Sequence, residues 1–104
     1  MNKVLITGRL TADVNVKYSR QKMAMTNFCL AVDGGKAKSG EQLTEFINIV
    51  AFDKLAEFVA NYFEKGKRYL VDGYLHREDY TNKEGITYPN YKVIAQRLEF
   101  ADGK

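Results

Sequence analysis

Phe46 and Phe52 are the residues whose type and spacing point most directly to chemistry. They belong to the stretch Thr44 to Glu57, which reads as a strand running straight into a helix. Side chains alternate across a strand, so Phe46, Asn48, Val50 and Phe52 share one face and Ile47, Ile49 and Ala51 the other. The aliphatic face suits a closed core. The face with two phenyl rings and an amide suits a surface on which flat groups stack. Six residues at roughly 3.3 Å each part the rings by about 20 Å, which fits an extended polymer better than one small molecule.

Other chemistries lack their residues. The chain has two serines, Ser19 and Ser39, and one histidine, His76, from which no nucleophilic triad is assembled. One His and one Cys do not make a tetrahedral zinc site. Glu78 and Asp79 are adjacent, so on a strand they face opposite ways and do not pair. Neither a phosphate-binding glycine loop nor a dinucleotide fingerprint is present. We therefore expect no enzyme activity, no cofactor, and no catalytic or metal-binding residue. The single cysteine, Cys29, rules out an internal disulfide and reads as a small buried strand residue.

The elements that must position the two rings follow from periodicity. Val4–Leu10 reads as a first strand, with Gly8 suggesting a bulge or sharp bend. Val14–Tyr18 alternates and extends the same sheet. Ala24–Val32 is a second strand, residues 33–40 a polar glycine-rich loop, and Leu43–Phe52 the third strand. Asp53 is placed as a helix N-cap. Leu55, Phe58, Val59, Tyr62 and Phe63 then form one apolar helical face, and Gly66 supplies the stop. Tyr69–Arg77 is a fourth strand, with Tyr69, Val71, Gly73 and Leu75 on one side. A polar, aromatic hairpin tip turns at Asn82–Gly85, and Lys92–Phe100 is the last strand. Five strands interrupted once, by a helix between the third and fourth, is the order of an all-β OB-fold barrel. Residues 1–104 make one domain.

The totals agree with that size of core: 45% hydrophobic and 28% charged residues. No run approaches the roughly 18 apolar residues of a membrane span. The N-terminus has no apolar stretch of signal-peptide length, so a cytoplasmic protein is expected. The net charge of +3 is unevenly spread. Residues 1–40 hold seven Lys or Arg against Asp13 and Asp33, a balance of +5, while residues 41–104 stand at −2. A basic N-terminal part suits an anionic partner on one face.

These residues carry a resemblance to a known family. The opening Asn2-Lys3-Val4-Leu5-Ile6-Thr7-Gly8-Arg9-Leu10-Thr11, the element Val16-Lys17-Tyr18, the triplet Leu30-Ala31-Val32, the stretch from Glu45 to Glu57 with Asn61 to Gly66, and then Asp72-Gly73-Tyr74-Leu75 and Tyr80-Thr81-Asn82 are similar, in one register, to the DNA-binding domain of the bacterial single-stranded DNA-binding proteins. The resemblance implies that Phe46, Phe52 and Tyr80 stack on bases. It implies that Lys3, Lys54 and Lys65 favour phosphates and that Tyr18 lies near the strand's path. Arg9, Lys17, Asn48, Tyr74, His76 and Arg77 complete the expected DNA-contacting set. Stacking contributes about 1–3 kcal/mol per base and tolerates any sequence, and lysines add salt-dependent attraction.

The departures are informative. Where many members have an aromatic residue after the second strand, this chain has Gly34, Gly35 and Lys36, so Lys36 and Lys38 are expected to supply charge in its place. His76 stands where Arg is common, which favours stronger binding at acid pH. Glu78 and Asp79 precede Tyr80 where the family is often basic. Tyr88 and Tyr91 offer other rings. The family typically continues into a disordered linker and an acidic tip that recruits replication and repair proteins, whereas this sequence stops at Asp102-Gly103-Lys104. A chain without that tip is expected not to recruit through it. The resemblance further implies a nucleoid-associated homo-oligomer, tetramer or dimer, acting in replication, recombination or repair. Two other readings stay open. One is a primosome-type accessory OB protein that works mainly through protein contacts. The other is an RNA-binding OB module, since stacking does not itself separate RNA from DNA.

Overall fold

A computed structural model describes residues 1–102. Gly103 and Lys104, and with them the chain end on which the expectation about the acidic tip rests, lie outside the described residues. Eight strands and one helix follow in the order β1 (Val4–Leu10), β2 (Lys17–Tyr18), β3 (Ala24–Lys36), β4 (Gln42–Phe52), α1 (Asp53–Tyr62), β5 (Arg68–Arg77), β6 (Tyr80–Thr81), β7 (Thr87–Tyr88) and β8 (Tyr91–Phe100). Five of them close a ring: β1 pairs with β5, β5 with β8, β8 with β4, β4 with β3, and β3 returns to β1. The β4–β8 pairing is parallel and the others are antiparallel. The fold is the expected OB barrel. Its helix follows the third of the five barrel strands; counting the two-residue β2, it lies between β4 and β5.

The period-2 pattern fills the barrel. Leu10, Leu30, Ile49, Ala51, Val71, Val93 and Leu98 are buried in one cluster, each large aliphatic contributing about 1.5–3 kcal/mol by leaving water. The helix closes the barrel with Ala56 and Val59. Phe63 then stacks on Tyr69 with ring centres 3.6 Å apart and planes 8° from parallel, and Phe58 meets both Phe63 and Phe100 edge-on. The Glu64 N–H donates to the Tyr69 hydroxyl at 2.7 Å, which satisfies the polar end of that buried ring.

Five local expectations change. Asp53 is not the N-cap; it is the first helical residue, follows Phe52, and no side chain caps the first turn. Its φ of 55° lies in the left-handed region that Asp tolerates better than most residues. Its charge still lies at the positive end of the helix dipole. Gly66 does not stop the helix. Phe63 does, leaving helical geometry to enter the core, and Gly66 at φ 88° serves a later turn in which its N–H donates to the Leu10 carbonyl. Gly8 marks no bulge: a Cβ there meets the Ala31 carbonyl oxygen at 2.8 Å, so the glycine lets β1 approach β3. The register shifts instead at Gln96 of β8, the extra residue opposite Asp72 and Gly73, and again between Asp33 and Lys36 of β3. Of the Val14–Tyr18 stretch, only Lys17 and Tyr18 form a strand. Tyr62 and Leu75, expected on apolar faces, are exposed, Leu75 because it lies past the last residue of β5 that pairs with β1.

Candidate nucleic-acid interface

Strand register decides which side chains share the outer surface with Phe46 and Phe52. Phe46 pairs with Ala31, which pairs with Arg9, so these three form one row. Asn48 pairs with Cys29 and Val50 with Asn27. Phe52 pairs with Met25, which pairs with Lys17, making a row at the other end. On the opposite flank Val50 lies beside Ile94, and Ile94 opposite Tyr74. Alternation then puts His76 and its partner Lys92 on the same face as Tyr74. One continuous outer face therefore holds Arg9, Lys17, Phe46, Asn48, Phe52, Tyr74 and His76.

The rings of this face are open. Phe46 is 66% exposed and Phe52 40% exposed, whereas Val50 between them is 2% exposed and packs sideways against β8. A strand that turns a phenyl ring to water while its alternate residues fill a core leaves that ring available to a ligand. Tyr18 on β2 is 60% exposed at the Phe52 end. Lys54, in the first turn of α1, lies two residues beyond Phe52 and is exposed.

Beyond the barrel, β6 and β7 form a separate two-stranded arm. Its turn is fixed by the Asn82 carboxamide oxygen, which accepts from the Glu84 and Ile86 N–H groups, and by Gly85 at φ 84°. Tyr80 lies directly opposite Tyr88, so both rings share one side of the arm, and both are exposed. Where β3 meets β4, Lys36 is opposite Gln42 and Lys38 lies in the turn; both are exposed. Lys65 is exposed in the turn after α1.

Several cations of the expected set are already engaged. The Lys3 ammonium is ion-paired with Asp72, on the outer surface of β5. The Arg9 guanidinium donates to the Gly66 carbonyl at 2.8 Å. The Arg77 guanidinium donates to Asp79 at 2.6 Å, lies over the Tyr91 ring at 5.8 Å, and takes the strand face opposite to His76. The hydrogen bond and charge of Asp79 push Arg77 above its usual range. Lys92 donates to Glu78 at 2.8 Å, and that hydrogen bond, with the lysine's charge, holds Glu78 below the ordinary carboxylate range. The His76 ring lies 4.0 Å from the same carboxylate. By contrast Lys17, Lys36, Lys38, Lys54 and Lys65 make no ion pair among the described residues.

Met25, Asn27, Cys29, Ile94 and Lys92 also lie on this face. The alternation of β3 places Met25, Asn27, Cys29 and Ala31 together, but only the register shows that they flank Phe46 and Phe52. Among the described residues no three His, Cys, Asp or Glu side chains come together as metal ligands.

Comparison with known proteins bears on the same residues. The family described as the single-strand binding protein family matches residues 1–101. A single-stranded DNA-binding protein of Fusobacterium nucleatum is 40% identical over 107 residues, covering 100% of this chain and 69% of that protein. One from Halalkalibacterium halodurans is 38% identical over 98% of this chain and 61% of its own length. Single-stranded DNA-binding protein 2 of Clostridium acetobutylicum is 40% identical over 98% of this chain and 77% of its own length. The chain thus spans about two thirds of the length of these relatives. An OB barrel with an open aromatic strand face, matched along its whole described length, leads to one conclusion: the chain belongs to the single-strand binding protein family.

Proposed function

We propose that this protein binds single-stranded DNA with little sequence preference, without catalysing a reaction, and so protects and organises the strand in replication, recombination or repair. The observation that carries the reading is the row of open side chains on β4, with Phe46 and Phe52 turned to solvent while Ile47, Ile49 and Ala51 on the other face pack into the core. The names of the relatives support it. Bases stack on Phe46 and Phe52, and the strand continues to Tyr80 on the arm. Tyr18, Asn48 and Tyr74 border the path. Lys17, Lys36, Lys38, Lys54 and Lys65 attract phosphates. Lys3 and Arg77 contribute less charge because each is already paired with a carboxylate in the fold, while Arg9 keeps its full charge beside the Gly66 carbonyl.

Homo-oligomer formation, as dimer or tetramer, belongs to the same proposal. β1 pairs with β3 only at Arg9 and Leu10, which leaves the β3-side edge of residues 4–8 unpaired. Such an edge accepts a second strand. A second reading, a module acting mainly through protein contacts, is favoured by one observation: Glu78 and Asp79 neutralise Lys92 and Arg77 beside the arm.

Fluorescence-anisotropy titration of labelled oligo-dT, against the matching duplex and an RNA of the same length, decides between the readings. We expect tight single-strand binding, weak duplex binding and an affinity that falls with salt. Equal and feeble binding to all three would turn the assignment to the protein-contact reading.

A further inference from the structure

Beside Phe52 the outer face dips into a largely apolar groove of about 370 Å3, lined by Tyr18, Met23, Met25 and Phe52 together with Lys17 and Gln21. That volume lies within the range of about 300–1,000 Å3 typical of clefts that hold small organic ligands. One wall is the tight turn from β2 to β3. It is fixed by the Ser19 hydroxyl, which accepts the Met23 N–H at 3.1 Å, by the Ser19 N–H donating to the Met23 carbonyl at 2.9 Å, and by Lys22 at φ 63°. The other wall is the Met25–Phe52 pair across β3 and β4. The groove is therefore built by two backbone-fixed elements rather than by a loose loop.

We propose that this groove is a slot for one nucleobase, adjacent in the same strand to the base stacked on Phe52. The inference rests on the single-stranded DNA reading and names a subsite within it. Three features select that occupant. The groove shares the Phe52 ring with the aromatic row, so a strand crossing Phe52 meets it next. Its lining is largely apolar with two thioethers, and unbranched, polarizable Met side chains adapt to planar rings of different size and favour sulfur–aromatic contact. That suits any base and not a phosphate. Lys17 is among the lining residues, and its charge suits the phosphate attached to an inserted base. The strand is then not only laid over flat rings; at this point one base is turned into the protein.

The test uses the full chain with its methionines labelled at the 13C ε-methyl. The chain has three methionines, Met1, Met23 and Met25, assigned with Met23→Leu and Met25→Leu. Oligo-dT is added, and, separately, an abasic strand of equal length; anisotropy is read on the same samples. An inserted base moves the Met23 and Met25 methyls upfield by its ring current, leaves Met1 in place, and has no counterpart with the abasic strand. Met23→Ala lowers oligo-dT affinity about fivefold, the lower end of the loss of one stacked base, and leaves abasic-strand affinity unchanged. Oligo-dT binding with both methyls unmoved overturns the slot while leaving the DNA reading intact. So does an equal shift with the abasic strand, a shift of all three methyls alike, or a Met23→Ala effect that is absent or equal for both strands. No binding of oligo-dT at all overturns the underlying reading and the slot with it.

Discussion

Phe46 and Phe52 share a face of β4, yet the two rings differ in what holds them. Phe46 is open and Phe52 lines the methionine groove, so removing them has different structural costs. Phe46→Ala is expected to weaken oligo-dT binding by about 1–3 kcal/mol, with a thermal midpoint within a few degrees of the parent. Calorimetric melting beside an anisotropy titration checks both halves; a large loss of stability would assign Phe46 to the core instead. The charge cluster at His76, Lys92 and Glu78 makes a second residue-scale prediction. Glu78 has its carboxyl pKa lowered in the fold, so its ion pair contributes stability that is present at neutral pH and lost only as pH falls below the ordinary carboxylate range. Between about pH 7 and pH 5.5 its charge is therefore constant. Glu78→Gln should raise affinity at neutral pH, with a steeper salt dependence, because it frees Lys92.

At the scale of elements, the β5–β8 pair carries the bulge that lets the barrel close and extends toward the arm. Gly73 lies opposite that bulge, at Gln96 of β8, with no room for a side chain: a Cβ would fall 2.0 Å from the Ile94 carbonyl oxygen, a backbone atom that cannot swing aside. Gly73→Ala should cost at least about 2 kcal/mol of stability, as overpacking against backbone does. Denaturant unfolding measures this, and an unchanged midpoint would contradict the close packing. The loss should appear in DNA binding as well, because Ile94 is the link between Val50 on β4 and Tyr74 on β5. The arm is different. Its strands are two residues each and hydrogen-bond only to one another, so its turn chemistry at Asn82 and Gly85 fixes Tyr80 and Tyr88 with little help from the core. Asn82→Ala should loosen the arm and lower oligo-dT affinity while leaving barrel melting unchanged.

Over the whole molecule, the proposed affinity would be the sum of a sequence-tolerant stacking term and a salt-dependent one from scattered lysines. Part of the formal positive charge is spent inside the fold, on Asp72, Asp79 and Glu78. The slope of log affinity against log salt, about −0.7 for each phosphate neutralised on a single strand, should accordingly count only the cations left unpaired. The amino-acid sequence by itself determined the barrel class, the helix after the third barrel strand, the core face of β4 and the exposure of Phe46 and Phe52. Those follow from periodicity and glycine punctuation, which are local properties. It did not determine the helix boundaries: Phe63 leaves the helix because Tyr69, six residues on, offers a ring to stack against. Nor did it determine which cations are available, since Lys3 meets Asp72 only when β1 lies beside β5. The grouping of Tyr74 and His76 with Phe46 required the parallel contact of β4 with β8, and the methionine groove required Lys17, Met25 and Phe52 to fall in one row. A strand fixes its own alternation, but register between strands distant in sequence is set by closure of the barrel, and only the tertiary structure decides it.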